Sequence, residues 1–390
     1  MKRSAVLILI LAYSVIAFGQ KLYSEMIKPI CHDTLIKYMQ QTLHDLAIPG
    51  IAVSIFTKDK VLNEEVSGVR RLHTNDSIKL NDRFHLGSCG KAMTGFVAAR
   101  LVEKGLILWN TKVFEVFPEL KDSSNTVYRN VTLYELLSNR SKVRQFMSED
   151  EELKRFTDFK GKDIMQRRYN FSKWLLKQKP VELDSVNGYT YSNAGFAIAA
   201  SMMEKVTGKQ WENLINEDLC KPLKIHISFG WPALEDKNQP WGHWIIEGDS
   251  VLIPHSPNDY YKLDDIITPA GNYSMSIIDY TKFLQLNLIG IIGKDTILKS
   301  STYDYLHYCN LISDRPLLNC YSIGWWVSNR TPELYTISEH NGSAGTFYCF
   351  TLLVKELNFG LGIITNAGHN YSVIGVESLK NKILDYYRRK

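Results

Sequence analysis

Ser88 and Lys91 stand three residues apart at the head of an apolar stretch, Phe84-His-Leu-Gly-Ser-Cys-Gly-Lys91 followed by Ala92 to Val102. On a helix that spacing puts both side chains on one face, with Cβ atoms about 5–6 Å apart. A serine hydroxyl is a weak nucleophile until a base takes its proton, and an amine held among apolar side chains loses proton affinity and becomes such a base. No other serine in the chain has a lysine three positions later. The same pair also fits a capping serine with a solvated lysine one turn on. Cys89, between them, reads as a small buried residue and not as a second nucleophile.

Two more stretches carry groups that could complete such a site. Tyr191-Ser-Asn193 lies in a loop just before an apolar helix; a phenol there could shuttle protons with a lysine, and the amide could hold a substrate carbonyl. Tyr128-Arg-Asn130 and Tyr308-Cys-Asn310 match the same pattern, and a packed tyrosine followed by an asparagine cap is the plainer reading. Glu339-His-Asn-Gly-Ser-Ala-Gly345 lies between two candidate strands. Its glycines let backbone approach a ligand and its strand edge offers an N–H to an oxyanion, although a glycine-rich hairpin with an exposed histidine also fits.

The elements that must position these groups follow from the hydrophobic pattern. Thr34 to Leu46 and Val373 to Tyr387 have helical spacing. Ile51 to Phe56 and Val61 to Val69 read as paired strands, and Tyr321 to Val327, Leu334 to Ser338, Phe347 to Lys355 and Phe359 to Thr365 as a second group near the end. Helices are expected at Leu133 to Leu137, Phe171 to Gln178, Gly195 to Val206 and Ile277 to Leu288. Strands at both ends around a helical middle predict an α+β fold: an antiparallel sheet built from N- and C-terminal segments, flanked by helices, with a mainly helical lobe inserted.

The 390 residues are 45% hydrophobic and 22% charged, an ordinary soluble composition. The net charge is +5, and no basic block interleaved with aromatics is present, so nucleic acid is not an expected partner. Met1-Lys-Arg-Ser, an apolar run to Phe18 and Gly19-Gln20 have the layout of a secretory signal cleaved before Gln20, which leaves +3. The run is short for a bilayer span, so an exported body with no stable membrane span is expected, periplasmic or secreted. An uncleaved anchor is the alternative. The expected organisation is thus a signal peptide over 1–19 and a single domain over 20–390, with a sheet lobe at about 20–105 and 311–390 and a helical lobe at about 106–310. Six cysteines contain no CxxC pair, and Cys309 with Cys320 is the only pair close in sequence. No HExxH or His/Cys cluster points to a metal or other cofactor.

Taken in order, Ser88-x-x-Lys91, Tyr191-x-Asn193 and His340-x-Gly342 resemble the serine β-lactamase and penicillin-binding-protein superfamily. The closer likeness is to the group holding class C β-lactamases, D-Ala-D-Ala carboxypeptidases and related esterases. It extends to Pro49-Gly-Ile-Ala-Val53, Lys104-Gly-Leu-Ile-Leu108, Thr132-Leu-Tyr-Glu-Leu-Leu137, Pro269-Ala-Gly-Asn272, Gly324-Trp-Trp326 and Ile364-Thr-Asn366. The resemblance implies a β-lactamase-like fold with Ser88 as the acylated nucleophile. Lys91 and Tyr191 would share general-base and general-acid work, and Asn193 would orient the substrate amide or ester. The N–H groups of Ser88 and Ser343, beside Gly342, would form the oxyanion hole.

His340 stands where β-lactamases usually carry the lysine of Lys-Thr-Gly. Lysine is a fixed cation, whereas a histidine of ordinary pKa, about 6.5, is mostly neutral at pH 7. The resemblance therefore implies a serine hydrolase acting on a small ester or a peptide-like amide, with peptidoglycan stem peptides as a further suggested substrate. The alternatives are a true β-lactamase and a non-hydrolytic member that binds cell-wall fragments or a protein partner. A second departure is Leu137-Ser-Asn-Arg-Ser-Lys142, which with Arg144 makes a basic loop, read here as a solvated surface or a substitute anion clamp.

Overall fold

Strands from both ends of the chain build one sheet. The computed structural model describes residues 27–147, 155–185, 188–245, 251–259, 263–308, 320–328 and 335–388. The leader expected over 1–19 and Cys309 lie outside them. The sheet strands are β1 (Gly50–Phe56), β2 (Val61–Gly68), β8 (Cys320–Tyr321), β9 (Trp326–Ser328), β10 (Ile337–Ser343), β11 (Tyr348–Val354) and β12 (Phe359–Thr365). Their order is β2-β1-β12-β11-β10-β9-β8, and every pairing is antiparallel. A three-stranded sheet joins β3 (Arg83–His85), β7 (Tyr273–Ser276) and β4 (Ser228–Phe229) in the order β3-β7-β4, and β5 (Gly242–Ile245) pairs with β6 (Leu252–His255).

Central strands of the large sheet are apolar on both faces because helices cover both. Along β11, Tyr348, Phe350, Leu352 and Val354 point to one core, and Cys349 and Leu353 to the other. The terminal helices α1 (His32–Asp45) and α7 (Asn370–Arg388) pack together over the first face. Helix α6 (Ile277–Ile291) lies against β12 and β1 on the second face, although its residues fall inside the span 106–310. Helix α2 (Lys91–Glu103) belongs to the same second core, where it packs on α5 (Asn193–Thr207). Helices α3 (Leu133–Leu137) and α4 (Ile164–Leu175) also pack on α5.

The structure corrects three local expectations. The strand expected to stop at Ser338 runs on to Ser343, so the His340-Asn-Gly342 stretch lies within β10 and not between strands; its register with β11 continues to Ser343↔Tyr348. Helix α4 starts at Ile164, seven residues before the expected Phe171, with the Asp163 carboxylate accepting the Gln166 N–H at 2.9 Å. The polar Gln166-Arg-Arg168 run hid that first turn, because Arg168 is wholly buried. The basic loop after α3 is not a solvated surface: Asn139 and Ser141 are buried, and the Arg140 guanidinium donates to the carbonyls of Ser138 and Tyr321 at 2.9 and 2.8 Å.

Among the described residues no helix is long and apolar enough to cross a membrane. Cys31, Cys89, Cys220 and Cys349 are free thiols, and Cys320 is disulfide-bonded.

Candidate active site

Ser88 sits in a tight 3-10 turn, Gly87–Gly90, that feeds directly into α2. The turn needs glycine at its first position: Gly87 has φ +52°, and a Cβ there would lie 2.5 Å from the Ser343 nitrogen. Gly342 is constrained from the opposite side, because a Cβ on it would lie 2.7 Å from the nitrogens of Ser88 and Cys89. Strand β10 and the Ser88 turn are thus pressed backbone to backbone. That contact brings the backbone nitrogens of Ser88 and Ser343 into one neighbourhood.

Lys91 is fully buried, and burial pushes its amine well below the ordinary lysine range. Its Nζ lies 3.0 Å from Ser88 Oγ, 2.6 Å from Asn193 Oδ1 and 2.7 Å from the Ala270 carbonyl. A neutral amine has two protons and one lone pair. With the two protons given to Asn193 and Ala270, which can only accept, the lone pair faces the Ser88 hydroxyl. Asn193 is the first residue of α5, which Ser192 caps by accepting the Gly195 N–H at 3.1 Å. Its Nδ2 donates to the Phe146 carbonyl at 2.8 Å, so both ends of the carboxamide are used within the protein, one of them on the lysine.

Tyr191 completes the inner cluster. Burial pushes its phenol above the ordinary tyrosine range, a rise that the nearby Ser88 and Tyr321 hydroxyls oppose. The ring stands 4.8 Å from the Lys91 amine and lies parallel to Trp326 at 6.2 Å between centroids. His340 is buried behind this layer. Its Nε2 is 3.1 Å from the Tyr321 hydroxyl and its Nδ1 is 2.6 Å from the Asn341 carbonyl. Cys89 is buried as expected, its thiol directed at the His340 and Cys349 carbonyls.

The fold therefore gathers Ser88, Lys91, Tyr191, Asn193, His340, Gly342 and Ser343 around one point. Sequence reasoning did not single out Tyr321, or Ala270 as a ligand of the lysine. Both lie in or beside stretches that carried the resemblance, Gly324-Trp-Trp326 and Pro269-Ala-Gly-Asn272, and that was the available signal.

Residues 35–374 match the family model described as Beta-lactamase. The chain belongs to the Beta-lactamase family. Protein flp of Staphylococcus aureus (strain NCTC 8325 / PS 47) is 22% identical over 359 residues, 91% of this chain and 66% of that protein. The chain thus spans just under two thirds of the length of this relative. Penicillin-binding protein 4 of Amycolatopsis lactamdurans is 28% identical over 185 residues, 47% of this chain and 45% of that protein. Among solved structures, the octameric penicillin-binding protein homologue from Pyrococcus abyssi superposes with a TM-score of 0.70 at 19% identity, covering 90% of this chain and 77% of that one. The crystal structure of SurE gives 0.71 at 16% identity, covering 91% and 75%. These superpositions place the chain in the β-lactamase and penicillin-binding-protein fold, the α+β architecture read from its sequence.

A neutral histidine underpins the Ser88 turn. His85 Nδ1 accepts the Gly87 N–H and its Nε2 donates to Asn272 Oδ1, both at 3.1 Å, and burial pushes its pKa down to about 4. His243 is held alike, accepting from Leu72 N at 3.1 Å and donating to the Asn366 carbonyl at 2.7 Å, and burial lowers it to about 4 as well. Unfolded histidine titrates near about 6.5, so between there and 4 the unfolded chain binds protons that the folded one does not. Stability from this source is fully present above pH 6.5. It falls as the pH drops toward 4, by about 1.4 kcal/mol per unit per histidine. Thermal melts at pH 7.5, 6 and 5 should show that decline, and His85→Gln should make it shallower by the share of one histidine. A melting temperature independent of pH over this range would contradict the assignment.

Proposed function

We propose that the protein is a serine hydrolase that works through a Ser88 acyl-enzyme on a small ester or peptide-like amide. The observation that carries this reading is the Lys91 amine, desolvated, with two protons engaged by Asn193 Oδ1 and the Ala270 carbonyl, and 3.0 Å from the serine hydroxyl. Ser88 Oγ attacks the carbonyl carbon while Lys91 takes the hydroxyl proton, which is the base assignment that burial of the amine favours. Negative charge on the carbonyl oxygen falls between the Ser88 and Ser343 N–H groups; loss of one such donor typically costs about 10²–10³ in rate. Tyr191, kept protonated by burial, gives its proton to the leaving group, and water then releases the acyl group from Ser88.

The ring of His340 favours an esterase or peptidase over a true β-lactamase. It is tied to Tyr321 and the Asn341 carbonyl and offers no fixed cation to a β-lactam carboxylate. A non-hydrolytic binding role is the reading that a cleft blocked by the 139–144 loop would favour. That loop instead holds neighbouring backbone, Asn139 Oδ1 accepting the Ser192 N–H at 3.0 Å, while Ser88 stays partly exposed. Export to the periplasm or medium, and peptidoglycan-derived peptides as natural substrate, belong to this proposal through the leader layout and the family.

Intact mass after exposure to a fluorophosphonate tests the reading, with benzylpenicillin in parallel and Ser88→Ala as control for both. A probe adduct on Ser88, absent in the variant, is the expected result. Rapid turnover of penicillin would overturn the esterase assignment, and absence of any adduct on the folded wild type would overturn the hydrolase.

A further inference from the structure

The loop after α3 holds three residues that are not glycine in left-handed backbone: Asn139, Lys142 and Phe146, with φ of +61°, +60° and +50°. Such backbone carries strain and persists only where the surroundings impose it. The surroundings here are residues 190–193, whose polar groups the loop takes up one after another. Asn139 accepts twice: its main-chain carbonyl takes the Thr190 N–H at 2.9 Å, and its side-chain Oδ1 takes the Ser192 N–H at 3.0 Å. Ser192 Oγ donates to the Arg144 carbonyl at 2.9 Å. Asn193 donates from its N–H to the Gln145 carbonyl at 2.9 Å and from Nδ2 to the Phe146 carbonyl at 2.8 Å.

These bonds divide between two jobs. Those to Gln145 and Phe146 fall on Asn193, and so on the start of α5 and on the ligand of Lys91. Those to Asn139 bracket Tyr191, because the two amides it holds lie on either side of that residue. In a sheet the amides of residues i and i+2 would be met by two carbonyls of a neighbouring strand; here one residue supplies both oxygens. The position therefore calls for a side-chain acceptor on left-handed backbone. Asparagine adopts that backbone more readily than most residues, and glycine would lack the acceptor. Asn139 and Ser192 are both buried, so water does not stand in for the bond between them. Ring contacts hold the phenol sideways: Tyr191 lies parallel to Trp326 and meets Tyr321 edge-on at 5.5 Å. The main-chain clamp sets how far the phenol reaches into the site.

We propose that Asn139 is a positioning residue for proton transfer to the leaving group: it holds the main chain on both sides of Tyr191 and so fixes the reach of the phenol, while touching no reacting atom itself. The inference rests on the acyl-enzyme reading above. As the bond between carbonyl carbon and leaving atom breaks, the Tyr191 O–H bond breaks and its proton goes to the leaving atom, while the Ser88 proton stays on Lys91. In deacylation the Tyr191 phenolate takes a proton from the attacking water, and Lys91 returns its proton to Ser88 Oγ, which restores both groups.

Leaving groups separate this from a purely structural role. p-Nitrophenolate departs without a proton, whereas the alkoxide of an ethyl ester needs one. Asn139→Gly keeps the left-handed backbone and the Thr190 bond but removes Oδ1. It should lower kcat/KM on the ethyl ester on the order of 10²-fold, as misplacement of a reacting group does, and affect the p-nitrophenyl ester of the same acid far less. In a Tyr191→Phe background the same substitution should leave the ratio of the two rates unchanged, because residues that act through one group are not additive. Asn139→Asp keeps an oxygen at the same reach that accepts in either protonation state, and should return the ratio to near the wild-type value whether or not the glycine variant folds. Equal losses on the two esters, a further fall of the ratio in the Tyr191→Phe background, or an aspartate variant as impaired as the glycine one would each overturn the clamp. Fluorophosphonate labelling of Ser88 in the same preparations separates the two claims: retained labelling with leaving-group-independent loss sinks only the role of Asn139, and an unlabelled wild type sinks the acyl-enzyme beneath it.

Discussion

Replacing Lys91 by methionine lowers kcat/KM on esters by on the order of 10²–10⁴, the range a positioned general base supplies. Methionine preserves length and apolar packing among the buried neighbours of Lys91, including the Phe196 ring 5.4 Å from its amine, and it leaves no unpaired charge. It removes the lone pair that faces Ser88 and strips Asn193 Oδ1 and the Ala270 carbonyl of their donor. Lys91→Arg is the discriminating companion, because arginine keeps a cation and its hydrogen bonds but cannot be deprotonated. Both variants should be inactive if the amine is a base. An active Lys91→Arg protein would make the lysine a charge anchor only. In the wild type, activity should fall as pH drops through the titration of Lys91, and burial sets that limb well below the ordinary lysine range.

The largest stability effect is expected at Arg168, well away from the reacting atoms. Arg168 is wholly buried; it pairs with Glu204, donates to Glu212 at 2.8 Å and holds the carbonyls of Asp265 and Ile266 at 3.0 and 3.2 Å. One side chain therefore ties α4 and α5 to the turn Asp265–Ala270, whose last carbonyl accepts from Lys91. Arg168→Met leaves Glu204 buried without its cation, and burial already lifts that carboxyl to about 7. Removal of one partner of a buried pair typically costs about 3–5 kcal/mol. Urea unfolding should show a loss of that size, with much of it recovered in the double variant Arg168→Met, Glu204→Gln. A loss confined to surface-mutation size, within about 0.5 kcal/mol, would refute the argument.

The candidate site was legible in the sequence where a local rule governed its geometry. Ser88 and Lys91 are one turn apart, so their proximity is a matter of helix geometry, and the apolar run behind them announced its own burial. The short apolar runs that became β1, β11 and β12 were equally readable as strands. What escaped was set by residues far apart in the chain. Ala270 meets Lys91 because Arg168 and Asp264 fold the 265–270 turn onto α2 and α5. Tyr321 meets Tyr191 because β8 pairs at the sheet edge beside the Tyr191 loop. The Arg140 loop misled because charge usually means solvent, whereas here main-chain carbonyls and the rings of Tyr134 and Tyr189, each 6.0 Å away, receive the guanidinium. The amphipathic pattern of α4 was broken by the very arginine that secures it.

Strand β1 lies between β2 and β12, and Ile51 pairs with Thr365 about three hundred residues later. A ribosome must therefore make some three hundred further residues after β1 before the sheet can close. Until then Ile51, Val53 and Ile55 have no partner strand on that side, and β10, which presses Gly342 against the Ser88 turn, has no β11 to hold its register. Contacts of such long sequence separation form slowly, since loop closure must precede them. Unfinished or C-terminally shortened chains thus lack the β10 backbone that packs on the Ser88 turn, even though Ser88 and Lys91 were made early. They also display long unpaired apolar edges, which makes this topology dependent on protection against aggregation while it is being synthesised.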